Sequence, residues 1–317
     1  MLSRVPSILL LLGVLAFLGG SLQAQTQLDP ARAATATQTG TLGQSTGDQP
    51  EGLEDENSFA NRSPGDSDLG QQLLLKPRVN PNSFKFWLDS SYYWTDNAAN
   101  QATQKAQDYF LATGVNLGWQ QRLAGRYYGD AYLGQHWFRY DSMHQLNYEN
   151  AEASLGMLAI LPELKNSVFH LHYYYQRITR QFSDPIYEAH NIRVGLQKTF
   201  LIDRMNSINA GISSSFGVSA APSRLQRHEH SLQLGHSLKF SSKWVLSTNY
   251  RLAYYDYFNF GGRADWFQIM GSTLTYKVCK NFEVSAGYYF TVNNSNNSFF
   301  DYQSQLGGLN LMAKIQF

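Results

Sequence analysis

Lys85, Asp89, Arg193, Lys239, Arg251, Lys277, Glu283 and Lys314 each fall in a stretch where apolar residues take every second position, and each sits on the other parity. Successive side chains of an extended strand face opposite sides, so these charges share the face that the apolar set leaves free. If the apolar face meets lipid, the charged face lines a lumen. Lys85, Lys239, Lys277 and Lys314 then cluster near strand ends on one side, with Glu283 as their counter-charge. Rings of Lys and Arg in a pore concentrate anions, so the chemistry expected is a mild preference for small polar or anionic solutes. Glu152, His170 and His172 share this parity. So do Trp87, Tyr93, Tyr132, Phe138, Tyr174, Tyr255, Phe267 and Tyr289, which would narrow the lumen or serve as stacking surfaces for saccharides.

A second chemistry lies on the apolar parity. His236 stands between Leu234 and Leu238, and an ionisable group on a lipid-facing wall is a functional candidate. Ser214 has the same parity one strand earlier, so a hydrolase-like Ser–His pair forms if their heights match. No Asn or acid is evidently placed to orient His236, no His-x-Ser arrangement occurs, and His230 and Ser231 are adjacent and so point to opposite faces. No catalytic residue is therefore assigned. His170 with His172, and His228 with His230, have the i, i+2 spacing that brings two imidazoles together on a strand. Neither pair has an evident third ligand, so no metal and no cofactor is expected. The single cysteine, Cys279, rules out an intramolecular disulfide.

These residues need strands to position them. Phe282, Val284, Ala286, Tyr288, Phe290 and Val292 alternate with Glu283, Ser285, Gly287, Tyr289, Thr291 and Asn293, the period of two that marks a strand. The first such stretch starts at Phe84 and the last is Leu309 to Phe317. Between them the pattern recurs over Tyr109 to Trp119, Ala131 to Trp137, Ala151 to Ala159, Phe169 to Tyr175, Ile192 to Phe200, Ile208 to Val218, Leu232 to Phe240, Trp244 to Tyr254 and Trp266 to Val278. That makes about twelve strands. An even number returns the chain to the side it started from, as in bacterial single-chain barrels.

The connections alternate in length. Short ones fall at Leu123 to Arg126, Leu161 to Lys165, Ile202 to Arg204, Ser241-Ser242 and Cys279 to Asn281. Longer, Asn-, Ser-, Gly- and Pro-rich ones fall at Asp96 to Gln107, Asp141 to Gln145, Phe182 to Pro185, Ser219 to Arg224, Asn259 to Gly262 and Asn294 to Phe300. A soluble sandwich would also alternate, but its strands run to about 5–6 residues, fewer than several stretches here. A lipocalin-like barrel would not place Trp94, Trp119, Trp137, Trp244, Tyr254, Trp266 and Tyr276 near the ends of the apolar face. Such girdles mark membrane interfaces. A mean hydropathy of −0.37 is compatible, because apolar and polar faces cancel in the average.

The chain splits into unequal parts: of 6 Trp, 20 Tyr and 19 Phe, only Phe17 and Phe59 precede Phe84. Residues 1–24 read as a signal peptide, with Arg4, an apolar run from Ile8 to Phe17, and Ser21 to Ala24 as the cleavage region. That run is too short for a spanning helix, which needs about 20 residues. Residues 25–83, rich in Gln, Thr, Ala, Gly, Ser and Asp, bury too little to offset their ordering entropy and read as a disordered periplasmic tail. A net charge of +1 without a basic block excludes a general nucleic-acid binder.

The stretch Leu309 to Phe317, apolar at alternate positions and ending in an aromatic residue, resembles the β-signal of Gram-negative outer-membrane proteins. That resemblance implies outer-membrane lipid as the surroundings and the barrel-assembly machinery as a transient partner. Ser90 to Asn97, with Gly114 to Leu117, is similar to porin-like barrels associated with exopolysaccharide loci. The expectation is therefore an all-β, transmembrane, antiparallel up-and-down β-barrel over 84–317, preceded by a disordered segment, in the outer membrane after signal-peptide export. Its expected role is a narrow porin-like channel or export conduit for small polar or anionic solutes, saccharides included. The alternatives are a non-conducting structural or adhesion barrel and an outer-wall lipid-modifying hydrolase using His236.

Overall fold

The computed structural model describes residues 83–180, 184–203 and 205–317; the expected signal peptide and nearly all of the expected tail lie outside these described residues. Twelve strands follow one another: β1 (Phe84–Thr95), β2 (Asp108–Ala124), β3 (Tyr127–Tyr140), β4 (Tyr148–Leu161), β5 (Ser167–Thr179), β6 (Pro185–Leu201), β7 (Asn206–Ala221), β8 (His228–Lys239), β9 (Trp244–Tyr257), β10 (Arg263–Cys279), β11 (Phe282–Ser295) and β12 (Tyr302–Gln316). Each is antiparallel to its sequence neighbours, and β12 pairs with β1 to close the barrel. Closure leaves no strand edge, so backbone groups are satisfied without water. At the seam Lys85 lies opposite Gln316 and Thr95 opposite Leu306. Below it Phe84 and Phe317 exchange two backbone hydrogen bonds of 3.0 Å, and their rings stack at 5.9 Å.

The connections 125–126, 162–166, 202–205, 240–243 and 280–281 share the end that holds Phe84 and Phe317. The others, including 96–107, lie at the opposite end, so the expected length asymmetry holds. Local chemistry makes the tight turns. Gly125 takes a φ of 54°, which side chains disfavour. Asp203 accepts from the amides of Met205 (2.7 Å) and Asn206 (2.8 Å) and from the Asn206 side chain (2.7 Å). These bonds, the Asn206 side chain first, hold the Asp203 carboxyl below its ordinary range. At the loop end the strands outrun the alternation. β7 continues to Ala221 and β11 to Ser295, because ladder pairing persists among polar residues once lipid no longer selects one face.

The outer face is the apolar one: Leu88, Leu133, Leu155, Ile212, Met270, Leu309 and Ile315 are all exposed. Aromatic side chains bracket it. Trp244 meets Tyr276 at 4.7 Å at the turn end, and Tyr254 meets Trp266 at 5.0 Å at the loop end.

Candidate functional site

The eight charged residues picked out from the alternation sit in different surroundings. Lys239 and Lys277 are exposed at the turn-end mouth. Lys314 donates to Glu283 at 2.7 Å, and Lys277 lies opposite Glu283 on the neighbouring strand. The Lys85 ammonium stands 5.8 Å over the Trp87 ring, and the Arg193 guanidinium 4.6 Å over Tyr174. Arg251 is paired with Glu229. Asp89 and Glu283 are the buried members, and Asp89 accepts from Asn116 at 2.8 Å, while the Tyr132 hydroxyl donates to the same Asn116 at 2.7 Å.

The loop half of the interior is filled. Phe138 stacks on Tyr148 at 4.3 Å, Phe110 meets Tyr140 at 5.0 Å, and Tyr255 meets Phe267 at 5.9 Å. Tyr93, Ile178, Tyr187, Tyr289 and Tyr302 complete one buried cluster that reaches around the barrel. Loop residues descend into it: Ala98 and Leu225 are each 1 % exposed, and Leu146 joins them. Two arginines tie the rim to the cluster. Arg227 lies 4.2 Å over Tyr255 and donates to the Tyr257 hydroxyl at 2.8 Å. Arg263, paired with Asp265, lies 4.5 Å from the Tyr257 ring and 3.5 Å from that of Phe300. The Asn296 side chain donates to the Gly262 carbonyl at 2.9 Å and accepts from the Ala264 amide at 3.0 Å, and the rings of Phe260 and Phe300 meet at 5.7 Å. Such an apolar constriction excludes water and ions by dewetting. The inward aromatics were legible from parity, but the loop side chains that finish the seal were not, since no periodicity announces where a loop folds.

Below the seal the two sides diverge. On β1–β5 Trp87, Asp89, Asn116, His136, Glu152 and His170 are buried, while Asp130, Tyr132, Ser154 and Tyr174 are half-buried. On β6–β9 Arg193, Gln197, Asn209, Ser213 and Asn249 are half-buried and Gln233 is exposed, interleaved with the buried Ser231, Ser237 and Ser247. Contact of the inner wall with water is thus greatest at the turn end and at the amides and Arg193 of β6–β9, and least in the aromatic cluster above.

The outer-wall pair anticipated between Ser214 and His236 does not form. The register sets Ser214 opposite His230, with Ser214 Oγ to His230 Nδ1 at 2.9 Å, and sets Ile208 opposite His236. Six strand residues separate the two histidines, about 20 Å along the wall. His236 instead approaches Asn206 Oδ1 at 3.3 Å. Inside, His172 meets Asp130 at 2.9 Å and the His170 ring at 5.7 Å. Among the described residues no group of three His, Cys, Asp or Glu could hold a metal ion.

No family model matches the sequence, and no curated protein matches it. Solved structures do share its fold. An outer membrane channel from Pseudomonas putida F1 superposes with a TM-score of 0.53 at 7% identity, covering 74% of this chain and 96% of that one. The NanC porin gives 0.43 at 9% identity over 71% and 98%, and the outer membrane channel DcaP of Acinetobacter baumannii 0.41 at 9% over 73% and 96%. The architecture is that of an outer-membrane β-barrel.

Proposed function

We propose that this barrel is a porin-like conduit of the Gram-negative outer membrane for small polar and anionic solutes, saccharides among them, held shut at its loop end. The proposal takes residues 1–24 as the export signal and the turn end as the periplasmic one, as in barrels of this class. The observation that carries it is the accessible inner wall of β6–β9, which leads from Lys239 and Lys277 at the mouth up to Arg193. A solid barrel has no need of hydrated charges there, whereas a conduit uses them to raise the local anion concentration. The aromatic seal is the specific observation behind the second reading, a non-conducting structural or adhesion barrel. No catalytic role is proposed.

Planar-bilayer recording separates the two readings. A conduit gives discrete openings with a reversal potential displaced toward anions in a salt gradient, and Lys239→Glu with Lys277→Glu moves it toward cations. Absence of openings at every voltage, including after the seal is loosened by Leu225→Asp, would overturn the conduit and leave the scaffold.

A further inference from the structure

We infer that the inner wall of β6–β9 below the seal is a binding groove for an acidic oligosaccharide. The inference deepens the conduit reading and rests on its view of this wall as the solute's path. Strand register builds the groove in two tiers. In the upper tier Gln197 on β6 lies opposite Gly211 on β7, which lies opposite Gln233 on β8, itself opposite Arg251 on β9. One step nearer the mouth, Thr199 lies opposite Asn209, then Gly235, then Asn249. Each tier sets a glycine between amides; Gly211 is half-buried between Gln197 and Gln233, whereas Gly235 is buried. A Cβ at Gly235 would strike the Asn209 side chain, which therefore lies across the glycine.

Neither tier carries an aliphatic side chain on these strands. Amides donate and accept at once, as sugar hydroxyls do, so a row of them matches a hydroxylated chain better than a bare anion. The charges flanking the row that are not cancelled by an inward acid of these strands are positive, with Arg193 above and Lys239 and Lys277 below, while Arg251 is taken up by Glu229. The inward acids of β6–β10 are Glu229 and Asp265, each already paired with an arginine. A ligand bearing both hydroxyls and repeated carboxylates would use the amides and the two basic ends together, which a small anion or a neutral sugar would not.

The test is titration calorimetry on the full folded chain in detergent with three probes: trimannuronate, neutral mannotriose and citrate. Trimannuronate should bind saturably, with the other two weaker by about tenfold or more. Gln233→Leu with Asn249→Leu should cost trimannuronate about tenfold, two hydrogen-bonding groups being lost. Gln233→Ala, which keeps the wall unobstructed, should cost less in the same direction. Arg193→Gln should weaken trimannuronate while leaving mannotriose unchanged. Citrate binding as tightly as trimannuronate, mannotriose binding as tightly, or amide variants indistinguishable from the parent would each overturn the groove. The conduit fails separately: discrete openings without trimannuronate binding remove the groove and keep the conduit, and saturable binding without openings does the reverse.

Discussion

On β1–β4 the inward positions hold Trp87, Asp89, Phe110, Asn116, Phe138 and Tyr148, each 4 % exposed or less. On β6–β9 positions of the same parity hold Arg193, Gln197, Asn209, Gln233 and Asn249, all of which water reaches. Both sets obey the same alternation and belong to one continuous sheet. Alternation therefore decides only inside or outside, and side-chain volume decides whether the inside is packed or wet. Large rings on β1–β4 meet one another, while the amides that flank Gly211 keep contact with water.

The contrast breaks most readily at Phe138. Its replacement by Ala should cost about 3–5 kcal/mol, the usual penalty for emptying an aromatic site in a packed interior. Gln233→Ala on the other wall should stay within about 0.5 kcal/mol. Urea unfolding of both variants in phospholipid vesicles measures the difference, and equal costs would abolish the distinction between the walls. Asn116→Ala comes next. It removes a donor to the Asp89 carboxylate and the acceptor of the Tyr132 hydroxyl in a buried setting, so about 1–3 kcal/mol should be lost. Asn249→Ala in the accessible wall should be nearly silent in the same assay.

The smallest effect concerns a turn rather than a wall. The folded pKa of Asp203 lies below its ordinary value, so its contribution is present above that ordinary value and is lost as pH falls through the folded one. Faster amide exchange at Met205 and Asn206 at acid pH, after correction for intrinsic rates, should report this. The tight turn 240–243, Phe-Ser-Ser-Lys with no carboxylate, should not respond.

The alternation made the barrel, its strand number and its closure legible, because parity is a local property that each strand declares by itself. Depth and company are not local. Asp89 and Lys239 share a parity, yet one is buried against Asn116 and the other is exposed at the mouth. The outer wall gives the same lesson. Ser214 and His236 share the outward parity, and only the register shows that His230 is the residue at the height of Ser214. Register depends on where each turn closes, and loop residues such as Leu225 reach the seal by paths that no periodicity encodes.

Arg263 links more than one ring to the rim. With Asn296 bridging to Gly262 and Ala264, and with Phe260 against Phe300, it joins the connection between β9 and β10 to that between β11 and β12. Those two loops form a single mechanical unit. A pull on either one is shared by both, and passes through Arg263 and Asp265 into the side chains that close the barrel.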